Sequence, residues 1–135
     1  MQAVKDAAAA IAVKDAMATI AVKDTKAARK FYEGTVGLKL VSDEMMPEAV
    51  VLKSGSSKVL IYRSQYAGTN KATAATWGVG SDLERIVKEL KTKGVSFEHY
   101  DMPGVTHKGD VHVGAGPDAA WFKDPDGNIL ALVSG

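Results

Sequence analysis

The chain has 135 residues, 46% of them hydrophobic, and sets 17 basic against 16 acidic side chains for a formal charge of +1. That is the size of one domain with a single core, and the balanced charge, with no basic block or basic–aromatic stripe, speaks against a nucleic-acid partner. The absence of cysteine rules out disulfides, thiolate nucleophiles and Cys-held metal and fits a cytoplasmic protein, and no apolar run approaches the roughly 20 residues that span a bilayer, so no membrane partner is expected.

The first elements along the chain are repeats. Ala3-Val4-Lys5-Asp6, Ala12-Val13-Lys14-Asp15 and Ala21-Val22-Lys23-Asp24 recur every nine residues, within the units AVKDAAAAI, AVKDAMATI and AVKDTKAAR. Only the third unit runs on into sequence of ordinary complexity, and Met17 stands where an ordinary start would. Residues 1–16 are therefore expected to be an extension, by tandem duplication or engineered addition. Lys5, Asp6, Lys14 and Asp15 interrupt its Ala-rich stretches and speak against a signal peptide. The third copy, Thr19–Val22, should supply the first strand. The extension itself should pack on the domain or a partner chain, as a helix with Val4, Ala8 and Ile11 on one face or as an added edge strand.

After the strand Ile20–Val22, Asp24 caps a helix that runs through Ala28, Phe31 and Tyr32 to Gly34. Strands follow at Leu38–Val41, Ala49–Lys53 and Val59–Arg63, the last two separated by a Ser-Gly turn. The pattern then repeats. Trp77–Val79 reads as a strand. Ser81 and Glu84 form a capping box, and Leu83, Ile86, Val87 and Leu90 make one apolar helical face, stopped by Gly94. Strands follow at Val95–Phe97, Ala119–Lys123 and Ile129–Val133, with Pro125-Asp126-Gly127 turning the last pair. Shifting by 57 residues maps Val22 onto Val79 and Gly37 onto Gly94. The organisation is β-α-β-β-β written twice: an extension over 1–16, a first module over 17–70 and a second over 71–135, in one compact α+β domain. Between Phe97 and Pro117 the second module carries a long loop rich in Gly, His and Asp, the kind of segment that often binds or covers a ligand.

The stretches IAVKDTKAARKFYEGTVGLKL and AWFKDPDGNILALV are similar to the vicinal oxygen chelate superfamily, which includes glyoxalase I, extradiol dioxygenases and bleomycin-resistance proteins. The resemblance covers roughly residues 18–134. It implies two βαβββ modules whose mixed sheets curl into a cup, and a homodimer with two cups. It also implies where a divalent metal would sit. The four positions are Thr19, Leu60, Thr76 (with Ala75 one residue away) and Ala131. None is a good metal ligand, because divalent cations need carboxylate or imidazole. The expectation is a cup without metal or other cofactor, lined by Thr19, Leu60, Tyr62, Thr76, Trp77 and Ala131. The bland alternative, that Leu60 and Ala131 are simply core, stays open.

The remaining chemistry gathers in one loop, as His99, Asp101, His107, Asp110 and His112. His99 and Asp101 would share a face if the preceding strand extends to them, which would let the carboxylate orient the imidazole as a general base. Spacing matches no metal motif. Tyr62, Tyr66, Trp77, Tyr100 and Trp121 are more aromatics than a small core needs. Tyr62 and Trp77 are expected to line the cup, with the Pro103–Gly116 loop at its mouth, and Trp121 to anchor the core. Three functions fit. The leading one is a bleomycin-resistance-like binder of an apolar or aromatic small molecule. The second is a metal-independent acid–base enzyme, a lyase or isomerase, using His99 or Asp101. The third is an engineered or duplicated chain in which the repeats are the point.

Overall fold

A computed structural model describes residues 9–44 and 46–135. Most of the first repeat, with the expectation that Val4 and Ala8 share a helical face, lies outside the described residues. Strand β1 (Ala18–Val22) comes at the join of the second and third repeats, as expected, and leads into α1 (Thr25–Arg29), whose first turn is capped by Asp24 Oδ1 accepting from the Lys26 amide at 2.9 Å. The helix then widens to π-type turns over Lys30–Val36 and stops at Gly37 (φ 92°), three residues beyond the expected Gly34. Strands β2 (Lys39–Ser42), β3 (Ala49–Ser54) and β4 (Ser57–Arg63) complete the first module.

The second module has β5 (Thr73–Gly78), α2 (Leu83–Thr92), β6 (Phe97–Glu98), β7 (Thr106–Lys108), β8 (Val111–Val113), β9 (Ala119–Lys123) and β10 (Ile129–Val133). Two local expectations are corrected. Ser81 does not cap α2, because the chain enters through a 3₁₀ turn over Gly80–Asp82 and Ser81 sits inside it. The segment Phe97–Pro117 is not one long loop: β7 and β8 form a hairpin in it, with His107 paired to His112.

Sheet one has the order β1-β4-β3-β2 and sheet two β5-β10-β9-β8-β7, with β6 on β9. Both are mixed, since β1 runs parallel to β4 and β5 parallel to β10 while the other pairs are antiparallel. One core joins them. Ile20, Val22, Leu52 and Ile61 from sheet one meet Phe122, Leu130 and Leu132 from sheet two, with Ala28 and Tyr32 of the first helix and Leu83, Val87 and Leu90 of α2. Side chains alternate across a strand, so this face carries both helices and the opposite face of each sheet is helix-free.

The Asp124–Asn128 turn locks the modules together. Asp124 Oδ2 accepts from Tyr32 Oη at 2.7 Å and from Asn128 Nδ2 at 2.8 Å, while Asn128 Nδ2 also donates to the Ala21 carbonyl at 2.8 Å. Burial and the Asp124 carboxylate push the Tyr32 phenol well above its ordinary range, so it stays a donor. Gly68 (φ 73°) lies so close that a Cβ there would sit 1.9 Å from the Asp126 carbonyl oxygen. No helix among the described residues is long and apolar enough to cross a membrane.

Candidate functional site

The four positions that the resemblance assigns to metal fall into two register-aligned rows on the helix-free faces. Thr19 pairs with Leu60, and Leu60 with Val51. Thr76 pairs with Ala131, and Ala131 with Trp121. Leu60 and Ala131 have no donor atom, and Thr19 and Thr76 offer only a hydroxyl. This set does not fit a divalent cation. Among the described residues, no three His, Asp or Glu side chains gather as a metal site elsewhere.

On sheet one, Thr19, Leu60 and Tyr62 line a recess of about 300 Å³ with Met46, Pro47 and Ala49. Tyr62 is 38% exposed. Glu48 and Arg63 form the charged rim, paired at 3.3 Å, and Glu48 holds a left-handed backbone (φ 57°) that few non-glycine residues adopt. Thr76 and Ala131 lie on the other sheet and are not among the residues lining this recess.

Trp77 is not on the helix-free face. It sits beside Leu132 in register and so points to the core side, where its Nε1 donates to Ser54 Oγ at 2.8 Å. There it lines a second, apolar cavity of about 180 Å³ with Leu38, Val79, Ile86, Leu90 and Phe122. Trp121, expected to anchor the core, instead lies on the helix-free face: it neighbours the fully buried Phe122 along β9 and therefore points the other way, with Nε1 donating to Thr73 Oγ1 at 3.2 Å. Tyr66 is largely exposed.

The loop histidines form a cluster against Trp121. His107 and His112 rings stand 4.6 Å apart, His99 stacks on His107 at 5.3 Å, and His112 meets Trp121 at 4.8 Å. His99 does not pair with Asp101, because β6 ends at Glu98 and the alternation that would align them stops there. The hairpin turn supplies Asp110 instead. His99 Nε2–H donates to Asp110 Oδ1 at 2.8 Å, and Lys91 Nζ donates to Oδ2 at 2.7 Å. Lys91 first, then His99, hold the Asp110 carboxyl below its usual range. Asp101 is exposed. His112 is buried; burial, then the charges of His107 and His99, push its pKa down, against the pull of the Ala119 and Asp110 carbonyls. The hairpin places this cluster on sheet two, away from the recess around Tyr62. His112, Tyr100 and Trp121 were each visible as residue types, but it takes the pairing of both β6 and β8 with β9 to bring them together.

A family model described as the Glyoxalase/Bleomycin resistance protein/Dioxygenase superfamily matches residues 14–132. No curated protein matches the chain. Solved structures match nearly end to end. HFX_CASS4, an integron cassette protein from the mobile metagenome of the Halifax Harbour sewage outfall, is 18% identical, with 91% of this chain and 100% of that one covered and a TM-score of 0.69. A glyoxalase family protein from Enterococcus faecalis is 20% identical over 90% and 97%, with a TM-score of 0.67. The fosfomycin resistance protein FosX from Listeria monocytogenes, complexed with Mn(II) and sulfate, is 13% identical over 91% and 90%, with a TM-score of 0.68. At these identities the likeness is one of fold.

Proposed function

Because the chain belongs to the glyoxalase/bleomycin resistance/dioxygenase superfamily, we propose that it uses the superfamily's two curled sheets to bind a small molecule with an apolar or aromatic body, without metal, in the manner of a bleomycin-resistance protein. The observation that carries this reading is the pair of rows Thr19–Leu60 and Thr76–Ala131, which align in register yet offer no metal ligand. Their flanks are the partly exposed Tyr62 and Trp121. Aromatic walls with a few polar groups suit a concave small-molecule site better than a Lewis-acid centre. A cysteine-free chain of this kind would work in the cytoplasm as a homodimer. The test is equilibrium binding of hydrophobic aromatic probes. Tyr62→Ala should weaken binding about tenfold or more if the recess on sheet one holds the ligand; unchanged affinity would remove that recess from the site.

A second reading rests on Asp110. Its carboxylate fixes the His99 ring and leaves Nδ1 free to take a proton from a bound substrate and return it to a neighbouring atom, as an isomerase would. A pH–rate profile with turnover lost in His99→Gln would favour it. Saturable binding with no turnover would favour the first.

A further inference from the structure

Folded cores have few voids larger than a water molecule. The cavity beside Trp77 is an exception, with a volume of about 180 Å³ on the helix-bearing side of the sheets. Both modules line it, the first through Val36, Leu38 and Ser54 and the second through Trp77, Ile86 and Phe122 among others. Leu38 and Phe122 are buried, whereas Val36, Ser54, Trp77 and Ile86 are half-buried, so the cavity runs from the core to the surface. One bond keeps it open. Trp77 Nε1 donates to Ser54 Oγ at 2.8 Å, and Ser54 is itself held at the β3–β4 turn, where its carbonyl accepts from Ser57 Oγ at 2.8 Å. The indole is pinned across the module boundary, away from the space it would otherwise fill.

The lining says what fits. No charged side chain lines the cavity. An ion placed there would lose its hydration without gaining a partner, so the ligand is neutral. Ser54 is the one lining residue with a hydroxyl. Its Oγ already accepts from the indole, and among the described residues its own proton has no acceptor. Ser54 therefore has a hydrogen to give to an oxygen on the ligand. Volume sets the size, since an apolar cavity of about 150 Å³ takes one benzene ring.

We propose that this cavity is a ligand site of its own, for a neutral single-ring molecule whose carbonyl or ether oxygen accepts from Ser54 Oγ while its ring lies against Trp77. It shares no lining residue with the recess around Tyr62. The proposal therefore does not depend on a ligand in that recess or on the helix-free faces.

The test uses the full chain, labelled with ¹⁵N, and three probes of like size: acetophenone, cumene, which has the same shape without the oxygen, and benzoate, which is charged. The chain has two tryptophans, and their indole N–H signals report the two sides of sheet two, Trp77 the cavity and Trp121 the helix-free face. Acetophenone should shift the Trp77 signal saturably. Cumene should do so about tenfold more weakly, and benzoate not at all. Ser54→Ala should weaken acetophenone about tenfold and leave cumene unchanged, and Ser54→Thr, which keeps the hydroxyl, should retain acetophenone. Equal affinity for acetophenone and cumene, benzoate binding at Trp77, or unchanged acetophenone affinity in Ser54→Ala would overturn the proposal. An equal loss of both probes in Ser54→Ala would overturn it too, by showing that the serine holds the indole and not the ligand. Saturable acetophenone binding that moves only the Trp121 signal would overturn it while leaving the reading of the helix-free faces intact. No saturable shift of Trp77 by acetophenone would also overturn it.

Discussion

Tyr32 Oη and the carboxylate of Asp124 meet at 2.7 Å in the buried seam between the modules, where Asn128 supplies a further donor to the same oxygen. Tyr32→Phe removes one donor and leaves Asp124 short of it in a place water does not reach. The expected loss is about 1–3 kcal/mol of unfolding free energy, read from urea denaturation; a loss below the error of that measurement would mean that Asn128 and the turn amides satisfy Asp124 alone. The identities of these residues were legible in the sequence, as FYE and DPDGN, because turn chemistry is local. Their partnership was not, because a contact across 92 positions leaves no local signal. His112 gives a pH prediction. Its folded pKa lies below the unfolded value of about 6.5. Its contribution is therefore fully present above about pH 6.5 and is lost as pH falls toward the folded pKa. The groups facing it are His107 and His99, with Asp110 and Lys91 behind them. Unfolding midpoints should decline from about pH 6.5 downward, above the carboxylate range, and His112→Asn should flatten that decline. A wild-type midpoint constant down to pH 5 would contradict it.

At the level of elements, one sequence occupies two environments. Residues 9–16 and 18–25 read AAIAVKDA and ATIAVKDT. In the second copy Ile20 and Val22 are 1% and 0% exposed inside β1, whereas in the first residues 9–12 are helical and Ile11 and Val13 are 73% and 79% exposed. The described part of the extension therefore leaves its apolar side chains off the domain; of the two packings expected, the one on a partner chain is the one these exposed side chains still offer. Proximity to α1 separates the copies: only the second leads straight to the Asp24 cap, while the first would have to loop out nine residues, which loop-closure scaling puts at on the order of 1–2 kcal/mol. Deleting residues 2–16 should leave a folded chain with an unchanged denaturant midpoint. An insoluble or unfolded product would show that the extension is integral. Helix and strand periodicity exposed α2 and the central strands to sequence reading. The β7–β8 hairpin escaped it because Thr106–Lys108 and Val111–Val113 are only three residues each and hold their place by pairing with β9 and with each other, not by pattern.

For the molecule as a whole, the doubling of βαβββ gives two sheets around one core and two helix-free faces. The strands that carry Thr19, Leu60, Thr76 and Ala131 were legible from local motifs, and the structure sets Thr19 beside Leu60 and Thr76 beside Ala131. Which face Trp77 and Trp121 occupy was not, because a one-residue difference in strand phase exchanges the two faces. The Ile129/Leu130 irregularity in the β5–β10 ladder shows how easily that phase shifts. The central claim is a small-molecule site that works without metal. Its most direct test is calorimetric titration of 2-naphthoate, a ring bearing a carboxylate, into metal-stripped protein and into the same protein with Mn²⁺ or Ni²⁺ added. Saturable binding with the same affinity is expected in both, and no heat from the metal alone. Tight uptake of about one metal per chain, or naphthoate binding only when metal is present, would contradict it.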